Sequence, residues 1–258
     1  MADSNKIHIS ETLEKGLNIL NLFNEHHQGL RLSEISKLLR VNKTSIYRYL
    51  NTYCKLGYLR KDSKTKLFKL GPRTVALAYT FIQGSDLVDI VKPIVDRAYL
   101  KLRVHIDVGL LHGDSIYALY RRENKDTIHF RHFTRGSGLH FLASGKAALA
   151  FLPEAEQIEF IDRLPLEKKT AKTLTDKNDL LAELQKIKEK GYSLNNEEFL
   201  PGLIALGAPL INHHTARVQG AISFDAATSR YTWEQFEREY ALPLVELAKE
   251  LSLVLPVS

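Results

Sequence analysis

The chain has 258 residues, 44% of them hydrophobic and 26% charged, one cysteine, and a formal net charge of +6. That length can bury a core in one large domain or two ordinary ones, and the composition excludes a disordered or fibrous chain. A lone cysteine, Cys54, permits no internal disulfide and suits a reducing compartment. No apolar run reaches the roughly 18 residues that cross a bilayer. Met1-Ala2-Asp3-Ser4-Asn5-Lys6 lacks the basic and then apolar pattern of an export signal, so a cytoplasmic protein without membrane attachment is expected.

Charge is unevenly spread. Residues 1 to 85 hold 14 Lys+Arg and 6 Asp+Glu, giving +8, and residues 86 to 258 hold 22 and 24, giving −2. Such segregation is the footprint of nucleic-acid binding by one domain only.

In chain order, Ser10 to Asn24 carries Leu13, Leu17, Leu20 and Phe23 at helical spacing, predicting a helix that closes a three-helix core. Leu32 to Leu39 predicts a short helix capped by Ser33, with Ile35, Leu38 and Leu39 as its apolar side. After Arg40 to Asn42 a further helix runs to about Leu56, with Asn42 suited to the N-cap and Gly57 to the left-handed position that ends it. Ile46, Leu50 and Tyr53 fall at i, i+4 and i+7 on one buried stripe. Lys43, Thr44, Tyr47, Arg48 and Asn51 are left on the opposite, wet side, where they form a set of phosphate and base-edge contacts. Two helices so closely joined make a helix-turn-helix. Tyr58 to Lys61 and Lys66 to Leu70, joined by a polar turn at Asp62 to Thr65, predict the wing of a winged helix. Arg60, Lys61, Lys64, Lys66 and Lys69 face a single acid there.

Thr74 to Gln83 predicts a linker helix, apolar nearly all round, whose surface must be covered by its own chain or a partner chain. From Leu87 to Leu102 the period stays helical, with Pro93 expected to kink or split the element. His105 to His112 and Ser115 to Arg122 predict an antiparallel pair, and Thr127 to Phe133 a third strand. Helices at about Ala143 to Phe151, Pro153 to Leu164 and Asp176 to Lys190 follow, then strands near Tyr192 to Asn196, Leu203 to Leu210 and Val218 to Asp225. A last helix opens with the capping box Thr232 to Gln235 and carries Phe236, Leu244, Leu247 and Leu251 inward. This order gives an α+β domain around a mostly antiparallel sheet. The expected divisions are 1–71, a DNA-binding domain; 72–85, a linker helix; and 86–258, a ligand and oligomerisation domain.

The chain resembles the IclR-type (isocitrate lyase regulator) family of bacterial transcription factors across nearly its whole length. In the N-terminal part the resemblance rests on Leu13 to Leu20, Leu32-Ser33-Glu34-Ile35, Lys43-Thr44-Ser45-Ile46-Tyr47-Arg48 and Leu56-Gly57-Tyr58-Leu59. In the C-terminal part it rests on Leu139-His140 with Gly145-Lys146-Ala147, Gly191-Tyr192, Glu197-Glu198-Phe199 with Pro201-Gly202-Leu203, and Ala208-Pro209. The resemblance implies a winged helix-turn-helix joined by the linker helix to a GAF-like ligand-binding domain. It implies a homodimer or tetramer binding double-stranded operator DNA and a small metabolite, usually an organic or aromatic acid, with no cofactor, metal or catalytic residue. Lys43, Thr44, Ser45, Tyr47, Arg48, Asn51, Arg60, Lys61, Lys64 and Lys66 are then the candidate DNA contacts.

For the effector, the resemblance implies the loop Phe141, Leu142, Ala143, Ser144 and Gly145, where a helix N-terminus can hold a carboxylate. Opposite it lie Asn195, Ala205, Ser223 and Asp225. Here the chain departs from the family pattern: Asn195 stands for a frequent Asp, Ala205 for a frequent Cys, Asp225 for a frequent Ser, and Phe141-Leu142 for smaller or hydroxylated residues. The apolar entrance suits an aromatic ring, while the carboxylate at Asp225 repels a bare small acid unless Arg131 or another cation compensates.

Two rival readings stand beside this one. A metal-dependent enzyme would use His105, His112, His129 and His132, although their spacing matches no zinc module and strands scatter side chains over two faces. An RNA-binding winged helix would need an aromatic stacking platform that the basic segment lacks. The pair Glu197-Glu198, if on a strand, points to opposite faces and cannot share a proton.

Overall fold

The structure, a computed structural model, describes residues 9–24, 27–84, 86–123 and 135–255. The chain divides into two units, 1–84 and 85–258, each with its own core.

In the first unit, α1 spans Glu11–Leu20, and Ser10 caps it by accepting from the Leu13 N–H. Its buried side differs from the expected one. Gly16 lies against the rings of Tyr49 and Tyr53, and this close approach turns Ile19 and Phe23 inward and leaves Leu13 and Leu17 exposed. Helix α2 spans Leu32–Leu39 but is not capped by Ser33. Arg31 is the N-cap residue, and the Glu34 carboxylate accepts its N–H at 2.6 Å, so Ser33 falls inside the first turn. Ile35 is buried on that helix and Leu39 packs beside the core, whereas Leu38 is exposed because two turns present too narrow a face. Left-handed Arg40 makes the turn into α3, Lys43–Leu56. Asn42 accepts the Ser45 N–H at 2.8 Å, and Gly57 at φ +82° ends the helix where a Cβ would be strained. Ile46 and Leu50 are buried under α3, and Tyr53 packs at the edge of the same core.

The wing strands are shorter than expected: β1 is Leu59–Lys61 and β2 is Phe68–Leu70, antiparallel with Leu59 opposite Leu70. Asp62 holds the turn by accepting the N–H groups of Lys64 and Thr65, each at 2.9 Å. Helix α4, Pro72–Gly84, exposes Val75, Leu77, Tyr79 and Phe81.

In the second unit α5 spans Asp86–Leu102 as one helix with Pro93 inside it; of the kink or split expected there, the split does not occur. Packing of Val91 and Val95 on either side of the proline carries the helix through it. The sheet has six antiparallel strands in the order β5-β4-β3-β8-β7-β6. They are β3 His105–His112, β4 Ser115–Arg122, β5 Arg135–Ser137, β6 Ser193–Asn196, β7 Leu203–Ile211 and β8 Val218–Ala227. The expected strand Thr127 to Phe133, with Arg131, His129 and His132, lies outside the described residues.

Residue parity sorts the two faces of the sheet. Ile106, Val108, Ile204, Leu206, Ile222 and Phe224 join Phe236, Leu244 and Leu251 of α9, Trp233–Val254, and α5 in one core. Asp107 and Gly109 of β3, Ile116 and Ala118 of β4, Ala205 and Gly207 of β7 and Ala221 and Ser223 of β8 face a second layer made of α6 Ala143–Ala150, α7 Glu154–Arg163 and α8 Lys177–Lys190, with its own core of Leu149, Ile161, Leu180 and Leu184. Helix α6 sits directly on β7 at Gly207, where any Cβ would come within 2.4 Å of the Ala143 backbone. The Ser193 hydroxyl anchors the same turn by donating to the Ala143 carbonyl at 2.6 Å.

Candidate functional site

Two surfaces collect the chemistry, one in each unit. On α3 the side chains of Lys43, Thr44, Tyr47, Arg48 and Asn51 are exposed on one side, while Ser45 is half-buried and its N–H is spent on the cap. Arg60, Lys61, Lys64 and Lys66 project from the wing, and Lys66 sits at φ +60° at the end of the turn. Among the described residues no carboxylate pairs with Lys43, Arg48, Arg60, Lys64 or Lys66; the ion pair of this unit joins Lys15 to Glu11. A helix and a hairpin carrying unpaired cations form a surface suited to a polyanion, with the helix shaped for the major groove.

The second surface is a cavity of about 60 Å³ between the N-terminus of α6 and the sheet. It is several times the roughly 10–15 Å³ that a single water requires, so it has room for more than one water-sized group. Leu142, Ala143, Ser144, Asn195, Ala205, Ser223 and Asp225 line it. Phe141 and Gly145 stand behind it instead. The Phe141 ring stacks on that of Phe199, and Gly145 is pressed on the Leu139 backbone, where a Cβ would meet the carbonyl at 2.4 Å.

The N–H groups of Ala143, Ser144 and Gly145 have no acceptor among the described residues, and the helix ladder begins with the Lys146 N–H on the Leu142 carbonyl at 2.8 Å. This end of α6 therefore has the free N–H groups and the positive dipole end that suit an anion, and Ala143 and Ser144 face the cavity. Asn195 is committed elsewhere. Its amide donates to the Phe141 carbonyl and accepts the Glu198 N–H, tying β6 to the loop in front of α6.

Three residues missed as pocket components complete the floor: His105, Asp107 and Arg121. The register sets Arg121, Asp107, Ser223 and Gly207 in one row across four strands, and His105, Asp225, Ala205 and Asn195 in the next. Arg121 grips Asp107 through both oxygens, and His105 Nε2 lies 3.1 Å from Asp107 and 3.8 Å from Asp225. Burial works against the His105 imidazolium, but the hydrogen bond to Asp107 and the charges of Asp225 and Asp107 outweigh it and raise its pKa. Asp107 is lowered because His105 and Arg121 overcome its burial, whereas Asp225, without the guanidinium grip, is pushed up to about 6 by burial.

His105, Asp107 and Asp225 also offer one metal-ligand atom each, all within 4.8 Å of one another. Arg121, already holding both oxygens of Asp107, opposes a second cation there. Of the histidines that a metal-dependent enzyme would use, His105 and His112 occupy opposite ends of β3, and His129 and His132 lie outside the described residues.

Behind the pocket Lys146 is fully buried, donating to both oxygens of Glu198 at 2.7 and 2.8 Å and to the Leu194 carbonyl at 2.7 Å. Burial pushes the Glu198 carboxyl up against the pull of the Lys146 ammonium. The pair Glu197-Glu198 lies in the turn after β6 and not on a strand. There left-handed Glu197 faces outward to Lys172 while Glu198 turns inward.

The helix-turn-helix domain of IclR matches residues 12–63, and the C-terminal domain of the bacterial transcriptional regulator IclR matches residues 79–253. The HTH-type transcriptional regulator BhcR of Paracoccus denitrificans is 31% identical over 242 residues, covering 93% of this chain and 85% of its own. The Pca regulon regulatory protein of Pseudomonas putida is 24% identical over 242 residues, covering 93% and 82%. An IclR family regulator from Brucella abortus superposes with a TM-score of 0.82 at 19% identity, covering 96% and 94%. An IclR homolog from Microbacterium hydrocarbonoxydans, complexed with 4-hydroxybenzoate, does so with a TM-score of 0.70 at 19% identity, covering 94% and 96%.

Proposed function

The chain belongs to the IclR family of bacterial transcriptional regulators, and from that premise we propose how its two units divide the work. It is a DNA-binding regulator that responds to a small-molecule effector. Lys43, Thr44, Tyr47, Arg48 and Asn51 enter the major groove of an operator, with Ser45 at the start of the helix. Arg60, Lys61, Lys64 and Lys66 lie along the phosphates. The observation that carries this reading is the row of cations on α3 and the wing left without carboxylate partners. The effector is a small organic acid, with an aromatic one supported by the 4-hydroxybenzoate held by a relative. Its carboxylate docks on the N–H groups of Ala143, Ser144 and Gly145, and its body lies against Leu142, Ala205 and Ser223. The exposed apolar face of α4 supports assembly as a dimer or tetramer, which would couple two half-sites by effective concentration.

Among the described residues no helix is long and apolar enough to cross a membrane, in keeping with a cytoplasmic regulator. The relatives are regulators, and nothing in the pocket favours turnover over recognition. Fluorescence anisotropy of the full chain with a duplex from its own upstream region tests the reading. Tight binding should fall steeply with salt. Equal binding to the separated strand would favour the RNA-type reading instead.

A further inference from the structure

The two carboxylates on the pocket floor are held unequally. Asp107 is saturated, its two oxygens taken by Arg121 and one of them shared with His105. Asp225 has no such grip: the Ser223 hydroxyl serves it, and His105 stands at 3.8 Å and is turned to Asp107 at the shorter distance. Both carboxylates are mostly buried, so an Asp225 facing an apolar ligand would keep one hydroxyl partner and lose the rest of its hydration. At the opposite end of the cavity the free N–H groups of α6 offer a seat that suits an anion.

Resting on the reading that the effector's carboxylate docks on that seat, we propose that the effector is a hydroxy acid whose hydroxyl, several bonds from the carboxylate, donates a hydrogen bond to Asp225. The spacing follows from the sheet. Ala143 sits on Gly207, Gly207 pairs with Ser223, and Asp225 lies two residues further along β8. With strands about 4.8 Å apart and about 3.3 Å per residue, the diagonal from Gly207 to Asp225 is roughly 8 Å, too long for a hydroxyl next to the carboxylate.

The floor also discriminates between donors. Arg121 already opposes Asp107, and His105, whose pKa is raised, stands between the two carboxylates, so a ligand ammonium would bring a further cation beside them, whereas a hydroxyl adds a donor and no charge. A carbonyl at the same position would need a protonated Asp225. The carboxyl is pushed up only to about 6, and so is mostly ionised at pH 7.5.

Titration calorimetry of the full chain at pH 7.5, with and without EDTA, tests this. The probes are straight three- to five-carbon acids and benzoate, each as the parent, the hydroxyl form and the amine form. We expect one hydroxy acid to bind about tenfold or more tighter than its parent. Asp225→Ala should bring the two within about threefold, and Asp225→Ser, which keeps a polar partner, should retain part of the difference. A melting temperature for each variant checks that it folds. Parents binding as tightly as their hydroxy forms would overturn the selection by Asp225 while leaving the carboxylate seat intact. A preference for the amine, or binding that EDTA abolishes, would overturn it as well, the latter by making His105, Asp107 and Asp225 metal ligands. Failure of every acid to bind would overturn both this proposal and the acid reading of the pocket.

Discussion

The two sites use charge in opposite ways. On α3 and the wing, Lys43, Arg48, Arg60, Lys64 and Lys66 stand in water with no carboxylate among the described residues to hold them. In and behind the pocket, Arg121 is locked on Asp107 and Lys146 on Glu198. Long, unpaired side chains suit a partner that is itself a repeating anion and supplies the missing charge. Locked ones fix the geometry of a cavity and leave selection to the few groups not yet satisfied. The same residue types thus read a polymer in one unit and shape a small-molecule site in the other.

The comparison can be broken most severely at Lys146. Glu198→Ala strands a fully buried ammonium, with Glu183 at 3.7 Å as partial relief, and should cost about 3–5 kcal/mol in urea denaturation. A loss within about 0.5 kcal/mol would mean that the pair is not locked. In the other unit no comparable stability loss is expected, because the cations there hold nothing together. Arg48→Ala should leave the melting temperature unchanged but weaken operator binding by about 1–3 kcal/mol and relax base preference, measured by anisotropy on operator and mutated duplexes.

Asp225→Asn sharpens the pocket side. Burial raises the Asp225 pKa from 3.8 to about 6, so the folded protein holds that proton more tightly than the unfolded chain, and native stability falls as pH rises through this window. The substitution should therefore stabilise by up to about 3 kcal/mol at pH 8, with the gain fading to nothing below about pH 4. A pH-independent effect would place the titration elsewhere. The smallest effect belongs to the wing: Lys64→Ala should weaken all duplexes alike and flatten the log–log salt dependence by about one unit. Sequence-selective loss would show that the wing reads bases.

What the sequence discloses follows the same division. The polar face of α3 was legible because it depends on one helical period and two caps, Asn42 and Gly57, all within sixteen residues. Leu13 and Leu17 were misplaced because their orientation is set by Gly16 against Tyr49 and Tyr53, a contact distant in sequence. Ser33 looked like a cap because its residue type suits one, yet Glu34 closes on Arg31 one position earlier than the spacing implied. In the pocket, Ala205, Ser223 and Asp225 came from a family resemblance and not from their own pattern.

Asp107 and Arg121 were hidden for a definite reason. A regular hairpin starting from the pair His112 and Ser115 would set Asp107 opposite Tyr120, but an irregularity between Val108 and Gly109 shifts the register and sets it opposite Arg121. Alternation along β3 does place His105 and Asp107 on one face, and that was the signal available.

A ligand in the cavity beside α6 is expected to change what the exposed cations do on DNA. Ala205→Leu fills the cavity from β7, far along the chain from α3, and should leave the fold intact. The direct measurement is operator affinity of the full chain by anisotropy, with and without the acid that binds best, in the native protein and in this variant. Both should bind the operator equally without acid, and the acid should change the affinity of the native protein and leave the variant's unchanged. An acid response of native size in Ala205→Leu would contradict it.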